Sequence, residues 1–597
     1  MLQNVFRPGG RPLWLLLTAV SLVMVGLAVA HAAEYQDNRT LGRHLMSLAE
    51  RNPDVVRVAS MARSTDRRRV WLVEVGTGTE QDRQRRPAML VVAGIEGNDL
   101  IGSSAAVQWL EHLIGQYGHD AEVTRLLETT TIYIVPRLNP DAAEHFFARP
   151  RRETSLNGKP VDDDHDGLVD EDGAEDLNDD GLITWMRIED PEGQYILDPK
   201  DNRLLVKADH LKGEVGAWRY LLEGIDNDHD ERWNEDGPGG VNFNRNFPHD
   251  YEFFASDAGI HQVSEAETRA LADFVVDHPN IGIVVTYGSA DNLSKTPEGE
   301  RPPGRREPLT AIDEDDVDYY RVMGELYREM LGIDEELEGA SQRGTFSDWM
   351  YYHRGRLSLA ARAWSPGIAV ALCEAAEKEK KKTEEKGDED AERSSELEPD
   401  KGKQRSGKDD EDKRNEQERN ELKWFDEHRP EAFIEWRPIE HPDFPDQRVE
   451  IGGYRPFALT NPPAQTAGQI AGKHADFLTK VARRLPRLGV RKIETHHLGR
   501  SVYDVEIQIE NTGFLPTVLA HGQRTREVHP TRLVLKLDDD CFLSGRRITT
   551  LPTIRGSGGM VEQRFVIRAS GRDRIDFQVV SMLAGRLEGT IKLPEAE

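Results

Sequence analysis

Hydrophobic and polar positions along the chain switch between a helical and a strand period. Residues 40–50 mix polar and apolar positions at helical spacing, and residues 70–75 read as a strand. Residues 88–93, Ala-Met-Leu-Val-Val-Ala, form a continuous apolar run, as in a strand buried on both faces, and end in the turn Gly94-Ile95-Glu96-Gly97-Asn98-Asp99. Behind the turn, Val107, Leu110, Leu113 and Ile114 fall on one face of a helix that Ser103 or Ser104 can cap. Strand, glycine turn and helix in that order predict the βα unit of an α/β domain with a largely parallel sheet. Residues 131–135 and 281–286 predict further buried strands, residues 265–276 and 319–331 predict helices, and another helix is expected near 469–485.

Two stretches break this pattern. Residues 161–240 hold 25 acidic and 7 basic side chains, a local charge of −18. Residues 375–423 carry 14 basic and 18 acidic side chains and almost nothing apolar, so they cannot bury enough surface to offset their ordering entropy; a disordered or intermittently helical charged insert is expected there. From about residue 490 the texture changes to short alternating runs, 503–509, 531–537, 563–567 and 576–582, separated by turn residues. That spacing predicts a small antiparallel β-sandwich over 490–597.

Composition sharpens this reading in three respects. Over 597 residues, 77 basic against 107 acidic side chains give a net charge of −30, which argues against nucleic acid as the main partner. Arg7 and Arg11 precede an uncharged apolar run over 13–30 and a small-residue Ala30-His31-Ala32 site. That is the pattern of a signal peptide spanning 1–32, giving an exported protein, periplasmic or extracellular, with an uncleaved N-terminal membrane anchor as the alternative. Cys373 and Cys541 are too few for a disulfide framework or a cysteine-built zinc site, and are either bridged to each other or two buried free thiols.

Within the acidic stretch, carboxylates recur at alternate positions. Asp162, Asp164, Asp166 and Asp170 reproduce the start of an EF-hand loop; Asp176, Asn178, Asp180 and Thr184 repeat it, and Asp226, Asp228, Asp230 and Asn234 form a third, glycine-poor copy. Alternate carboxylates converge where such a loop turns, which suits calcium in a structural role; a solvated acidic loop is the plainer alternative. The twelfth positions are Gly173, Arg187 and Gly237, so Glu171, Asp172, Glu235 or Asp236 would have to complete a shell.

Five landmarks in order then carry a resemblance: GIEGND at 94–99, NPD at 139–141, GVNFNRNF at 240–247, VVTYG at 284–288 and SDWMYYHRGRLSLAARAW at 347–364. Over roughly residues 35–485 the chain resembles the zinc metallocarboxypeptidases, the carboxypeptidase A-like peptidases, and among them the exported bacterial members. The resemblance implies an α/β fold with a carboxypeptidase-like mixed central sheet flanked by helices over 33–485, carrying the acidic insert at 161–240 and the charged insert at 375–423. It implies zinc-dependent hydrolysis of the C-terminal residue of peptides, using two His and one Glu on zinc and a Glu as general base.

Carried onto this sequence, the first His falls on Glu96, the Glu ligand on Asp99, the second His on Val285 and the general base on Arg362. All four are replaced. Valine has no lone pair, arginine cannot accept a proton near neutrality, and two carboxylates suit magnesium or calcium better than zinc. Zinc is therefore expected to be absent, with the Arg362 guanidinium in its place paired to Glu96 or Asp99; Glu374 is the alternative base if the register near 362 is shifted. Asn244 and Arg245 match the family pair that grips a peptide's terminal carboxylate, a further arginine should lie among Arg149, Arg151 and Arg152, and the tyrosine that closes over substrate has no counterpart near Ala340. Three functions stand: an inactive pseudopeptidase that retains recognition of peptide or protein C-termini, an active metallocarboxypeptidase with other ligands such as His249 or His278, or a calcium-organised extracellular scaffold.

Overall fold

The computed structural model describes residues 35–162, 167–234, 236–301, 311–333, 336–337, 339–385 and 407–594. The expected leader at 1–32, Asp164 and Asp166 of the first acidic loop, and residues 386–406 of the charged insert lie outside them. Among the described residues no helix is long and apolar enough to cross a membrane.

A six-stranded mixed sheet forms the centre, in the order Val56–Arg63, Arg69–Val75, Thr131–Val135, Ala88–Val92, Ile281–Tyr287 and Leu357–Ala361. The first two strands pair antiparallel and the last four run parallel. Every residue of those four parallel strands is buried, as their unbroken apolar runs require. Val91, Ile134, Val285 and Leu359 face the helices Asn38–Arg51, Leu100–Gln116, Val317–Leu331 and Ala464–Ala482, while Leu90, Tyr133 and Val284 face Leu271 and Val275 of the helix Ala266–Asp277. The helix after the glycine turn begins earlier than its serines suggest: Asp99, not Ser103 or Ser104, is its N-cap, accepting from Gly102 N. An acidic cap there also meets the positive end of the helix dipole.

The acidic stretch folds into more than loops. Strands Trp185–Glu189, Tyr195–Leu197, Leu205–Lys207 and Trp218–Leu222 join Phe433–Ile439 and Val449–Tyr454 in a second, antiparallel six-stranded sheet. Its small core is Met186, Ile188, Phe444, Val449 and Ile451. Arg187 is buried between Trp218 and Trp436 and pairs with buried Glu450 at 2.7 Å. In the charged insert the described residues are helical, ending Pro366–Glu385 and opening Gly407–His428, and the second helix buries Leu422 and Phe425. Its apolar anchor lies at the end of the charged run, which is why composition alone did not reveal an ordered helix.

The C-terminal region consists of two four-stranded antiparallel sheets sharing one core that includes Val505, Ile507, Leu533, Phe565 and Phe577. Cys373 and Cys541 are both free, but partly exposed rather than buried.

Candidate functional site

The turn after the strand Ala88–Val92 is shaped by close approach. Gly97 has φ +75°, and a Cβ there would stand 2.4 Å from Ala142 Cβ and 2.9 Å from Asn139 O. Only glycine allows the turn to lie on the Asn139-Pro140-Asp141 corner, where Asn139 N donates to Gly94 O at 2.8 Å. The turn thereby presents Glu96 and Asp99 at the open end of the parallel strands, where ligands bind in such sheets.

Glu96 is buried and fully engaged. Ser289 N donates to its Oε2 at 2.7 Å, Ser289 Oγ to Oε1 at 2.6 Å, and Asn244 Nδ2 to Oε1 at 3.3 Å. Asp99 uses Oδ1 to cap its helix at 3.1 Å from Gly102 N, while buried Oδ2 has no hydrogen-bond partner. Burial, with the nearby charge of Glu96, pushes the Asp99 carboxyl up to about 7; the Gly102 N–H and Arg362 oppose that rise. Asn461 secures the same helix start, its Oδ1 accepting from Leu100 N and Ile101 N at 2.8 and 3.0 Å, and its Nδ2 donating to Asn98 O.

Arg362 directly follows the strand Leu357–Ala361, and its Nη2 donates to Ser289 O at 2.8 Å. The expected ion pair is not formed: no salt bridge joins Arg362 to Glu96 or Asp99, because Ser289 stands between them, serving Glu96 with its N–H and hydroxyl and Arg362 with its carbonyl. Sequence reasoning missed Ser289 and Asn461; their only signal is their place just past the Ile281–Tyr287 strand and in the TNPP segment. Glu374, the alternative base, is exposed on the helix Pro366–Glu385, lining with Arg362 a cavity of about 840 Å³.

Val285 lies inside its strand, fully buried, with Val91 and Leu359 as strand neighbours in an apolar cluster. His249 stacks on Tyr352 with ring centroids 4.0 Å apart, and His278 engages Phe274 O through Nδ1 at 2.7 Å; each is committed to local contacts rather than to Glu96. Two carboxylates without histidine, one of them saturated by hydrogen bonds and the other inclined to hold a proton at neutrality, do not fit the zinc ligand set.

The two residues expected to grip substrate fare differently. Asn244 is buried, with Oδ1 accepting from Phe346 N at 3.3 Å, and reaches Glu96. Arg245 gives one terminal nitrogen to Asp257 at 2.8 Å and the other to Glu252. Among the further arginines, Arg152 Nη2 donates to Pro238 O at 2.6 Å, and Arg151 lies over the Phe146 ring.

In the acidic loops, Asp226, Asp228 and Asp230 bring ligand oxygens within 4.8 Å of one another, and among the described residues no other acid, His or Cys cluster does so. Asn234, grouped with them in sequence, turns its Nδ2 to Leu222 O at 3.0 Å. In the second loop Asp176 accepts from Asp180 N and Gly181 N, Asn178 accepts from Asp180 N, and Asp180 accepts from Leu182 N. Thr184 donates through N and Oγ1 to Oε2 of buried Glu223, both at 2.9 Å. In the first loop Asp162 Oδ2 accepts from Gly167 N at 3.1 Å.

Residues 42–168 and 217–384 match the family model described as zinc carboxypeptidase, the break falling on most of the acidic insert. This part of the chain belongs to the zinc carboxypeptidase family. Human carboxypeptidase D is 29% identical over 134 residues, covering 22% of this chain and 10% of the relative; mouse carboxypeptidase M is 27% identical over 110 residues, covering 18% and 25%. The chain thus spans a quarter or less of these relatives' length. Among solved structures, carboxypeptidase A from Helicoverpa armigera aligns over 55% of this chain and 64% of its own at 13% identity and TM-score 0.34. Residues 487–592 match a second model, described as a domain of unknown function. The family match covers Glu96, Asp99, Asn244, Val285, Ser289 and Arg362, and leaves out Asn461.

Proposed function

We propose that this zinc carboxypeptidase relative is a pseudopeptidase: it keeps the family's sheet and turns but not its hydrolysis. The observation that carries this reading is Ser289, which occupies both oxygens of Glu96 and binds Arg362, while Val285 offers the third ligand position only a methyl surface. No water activation by zinc is derived from such a set, and Arg362 stands where a general base would be needed. An exported location, periplasmic or extracellular, is the one that the leader pattern at 1–32 supports.

Peptide C-termini are the partner class Arg245 would grip in the manner of the family. Both of its terminal nitrogens already serve Glu252 and Asp257, so capturing a terminal carboxylate has to displace one of them. Purified protein dialysed against zinc and incubated with peptides ending in basic, aromatic or aliphatic residues is expected to retain no stoichiometric zinc and to release no C-terminal residue. One zinc per chain together with chelator-sensitive release would overturn the pseudopeptidase reading. Peptides with a free C-terminus binding no tighter than their amidated forms would remove the C-terminus reading alone.

A further inference from the structure

The junction of the first and third acidic loops holds one carboxylate, Asp236, that the fold encloses and leaves without donors, and a second, Asp170, with one enclosed oxygen unpartnered. Asp236 is 1% exposed, and neither of its oxygens has a hydrogen-bond partner. Asp170 Oδ1 is likewise enclosed and unpartnered. The backbone brings their segments together: Asp172 N donates to Asp236 O at 3.2 Å in an isolated antiparallel bridge, and Asp170 lies two residues before Asp172. Burial raises the Asp170 carboxyl and the Asp236 charge raises it further, while backbone N–H groups of Gly239 and Val161 and the Arg152 charge pull it down.

Asp172, between them in the same segment, has its needs met. Its oxygens accept from Asn227 N at 3.0 Å, Asn227 Nδ2 at 3.2 Å and Asn234 N at 2.6 Å, which fastens the segment to the third loop. The missing donors therefore lie at both oxygens of Asp236 and at Oδ1 of Asp170. The cation at hand, Arg152, acts on Asp170 through its charge but turns its Nη2 to Pro238 O at 2.6 Å. A buried carboxylate without a donor is costly, and two that repel each other cost more, so the arrangement calls for a cation.

We propose that Asp170 and Asp236 bind one calcium ion that ties the first acidic loop to the third. The two carboxylates offer oxygen alone, and the irregular loops that carry them supply further carbonyls and waters; this favours calcium over zinc, and over magnesium with its strict octahedron. Asp236 thereby supplies the bidentate carboxylate that Gly173, at the twelfth position of the first loop, cannot. This site is separate from the Asp226, Asp228 and Asp230 cluster and does not depend on the state of the ancestral zinc pocket.

The test uses the full-length protein stripped with EGTA and returned to calcium chloride, with bound metal counted by mass spectrometry and melting followed by differential scanning fluorimetry. Wild type is expected to melt several degrees higher in calcium, since a ligand bound only to the native state stabilises it. Asp236→Asn should bind one calcium fewer per chain and lose part of that rise. In EGTA the same variant should melt no lower than wild type, because the amide removes an unpaired buried charge. Asp170→Asn, less enclosed, is the second variant and should also bind one ion fewer, while Asp228→Asn should keep the part of the rise that Asp236→Asn loses. Unchanged calcium counts in both Asp236→Asn and Asp170→Asn, a wild-type melt indifferent to calcium, an equal rise with magnesium, or a lower melt of Asp236→Asn in EGTA would each overturn the proposal.

Discussion

Replacing Asp99 by Asn isolates what a buried carboxyl does at the start of the helix Leu100–Gln116. In the native protein, burial and the Glu96 charge push this carboxyl up to about 7 from 3.8. The unfolded chain titrates near the ordinary value, so between about pH 4 and 7 the native state holds a proton that the unfolded state has lost. Stability contributed by this group therefore falls as pH rises through that window. At about 1.4 kcal/mol per pH unit, the loss amounts to about 4 kcal/mol, complete above pH 7. Asparagine keeps the oxygen that accepts from Gly102 N and places an amide where Oδ2 has no partner. Asp99→Asn should thus gain on wild type progressively from pH 4 to 8. Urea melts of both proteins across that range give the difference directly, and the subtraction cancels other buried acids such as Glu267, raised by its own burial to about 8. A difference that stays flat with pH refutes the reasoning. One that moves in favour of wild type as pH rises is what a metal on Asp99 would give, because a bound cation favours the carboxylate.

Two further substitutions test how the surroundings are held. Asn461→Ala strips partners from Leu100 N, Ile101 N and Asn98 O at the start of the helix that carries Asp99, and should cost about 2–3 kcal/mol in urea unfolding. Arg187→Ala leaves Glu450 buried with only exposed Arg448 as a partner, and should cost about 3–5 kcal/mol; the double replacement Arg187→Met with Glu450→Leu should recover most of it, as a double-mutant cycle would show.

What the sequence made legible follows from how local each signal is. The central strands were readable because burial on both faces turns them into unbroken apolar runs, as at 88–92 and 281–287. The second sheet was not. Trp185–Glu189 alternates buried Met186 and Ile188 with Arg187, and the charge that neutralises Arg187 lies 263 residues away on Glu450. Seen along the chain, that arginine is one more charge in an acidic stretch; only the register of Val449–Tyr454 against Trp185–Glu189 makes it a buried pair. The same limit applied at the candidate site, where landmark order located Glu96, Asp99 and Arg362 but gave no hint of Ser289.

Why the altered site can remain closed follows from those contacts. A family site built around zinc holds two carboxylates against a +2 charge; here Glu96, Asp99 and Arg362 leave a formal −1 if all three are ionised. Glu96 disperses its charge over the Ser289 N–H, the Ser289 hydroxyl and Asn244, while Arg362 spends a donor on the Ser289 carbonyl, so one residue accommodates both substitutions with no ion pair. Only Asp99 Oδ2 is left without a donor, and a proton is the least demanding way to satisfy a lone buried oxygen beside another carboxylate. Protonation of Asp99 as pH falls below about 7 removes the excess negative charge and makes the pocket's stability depend on pH with the sign given above.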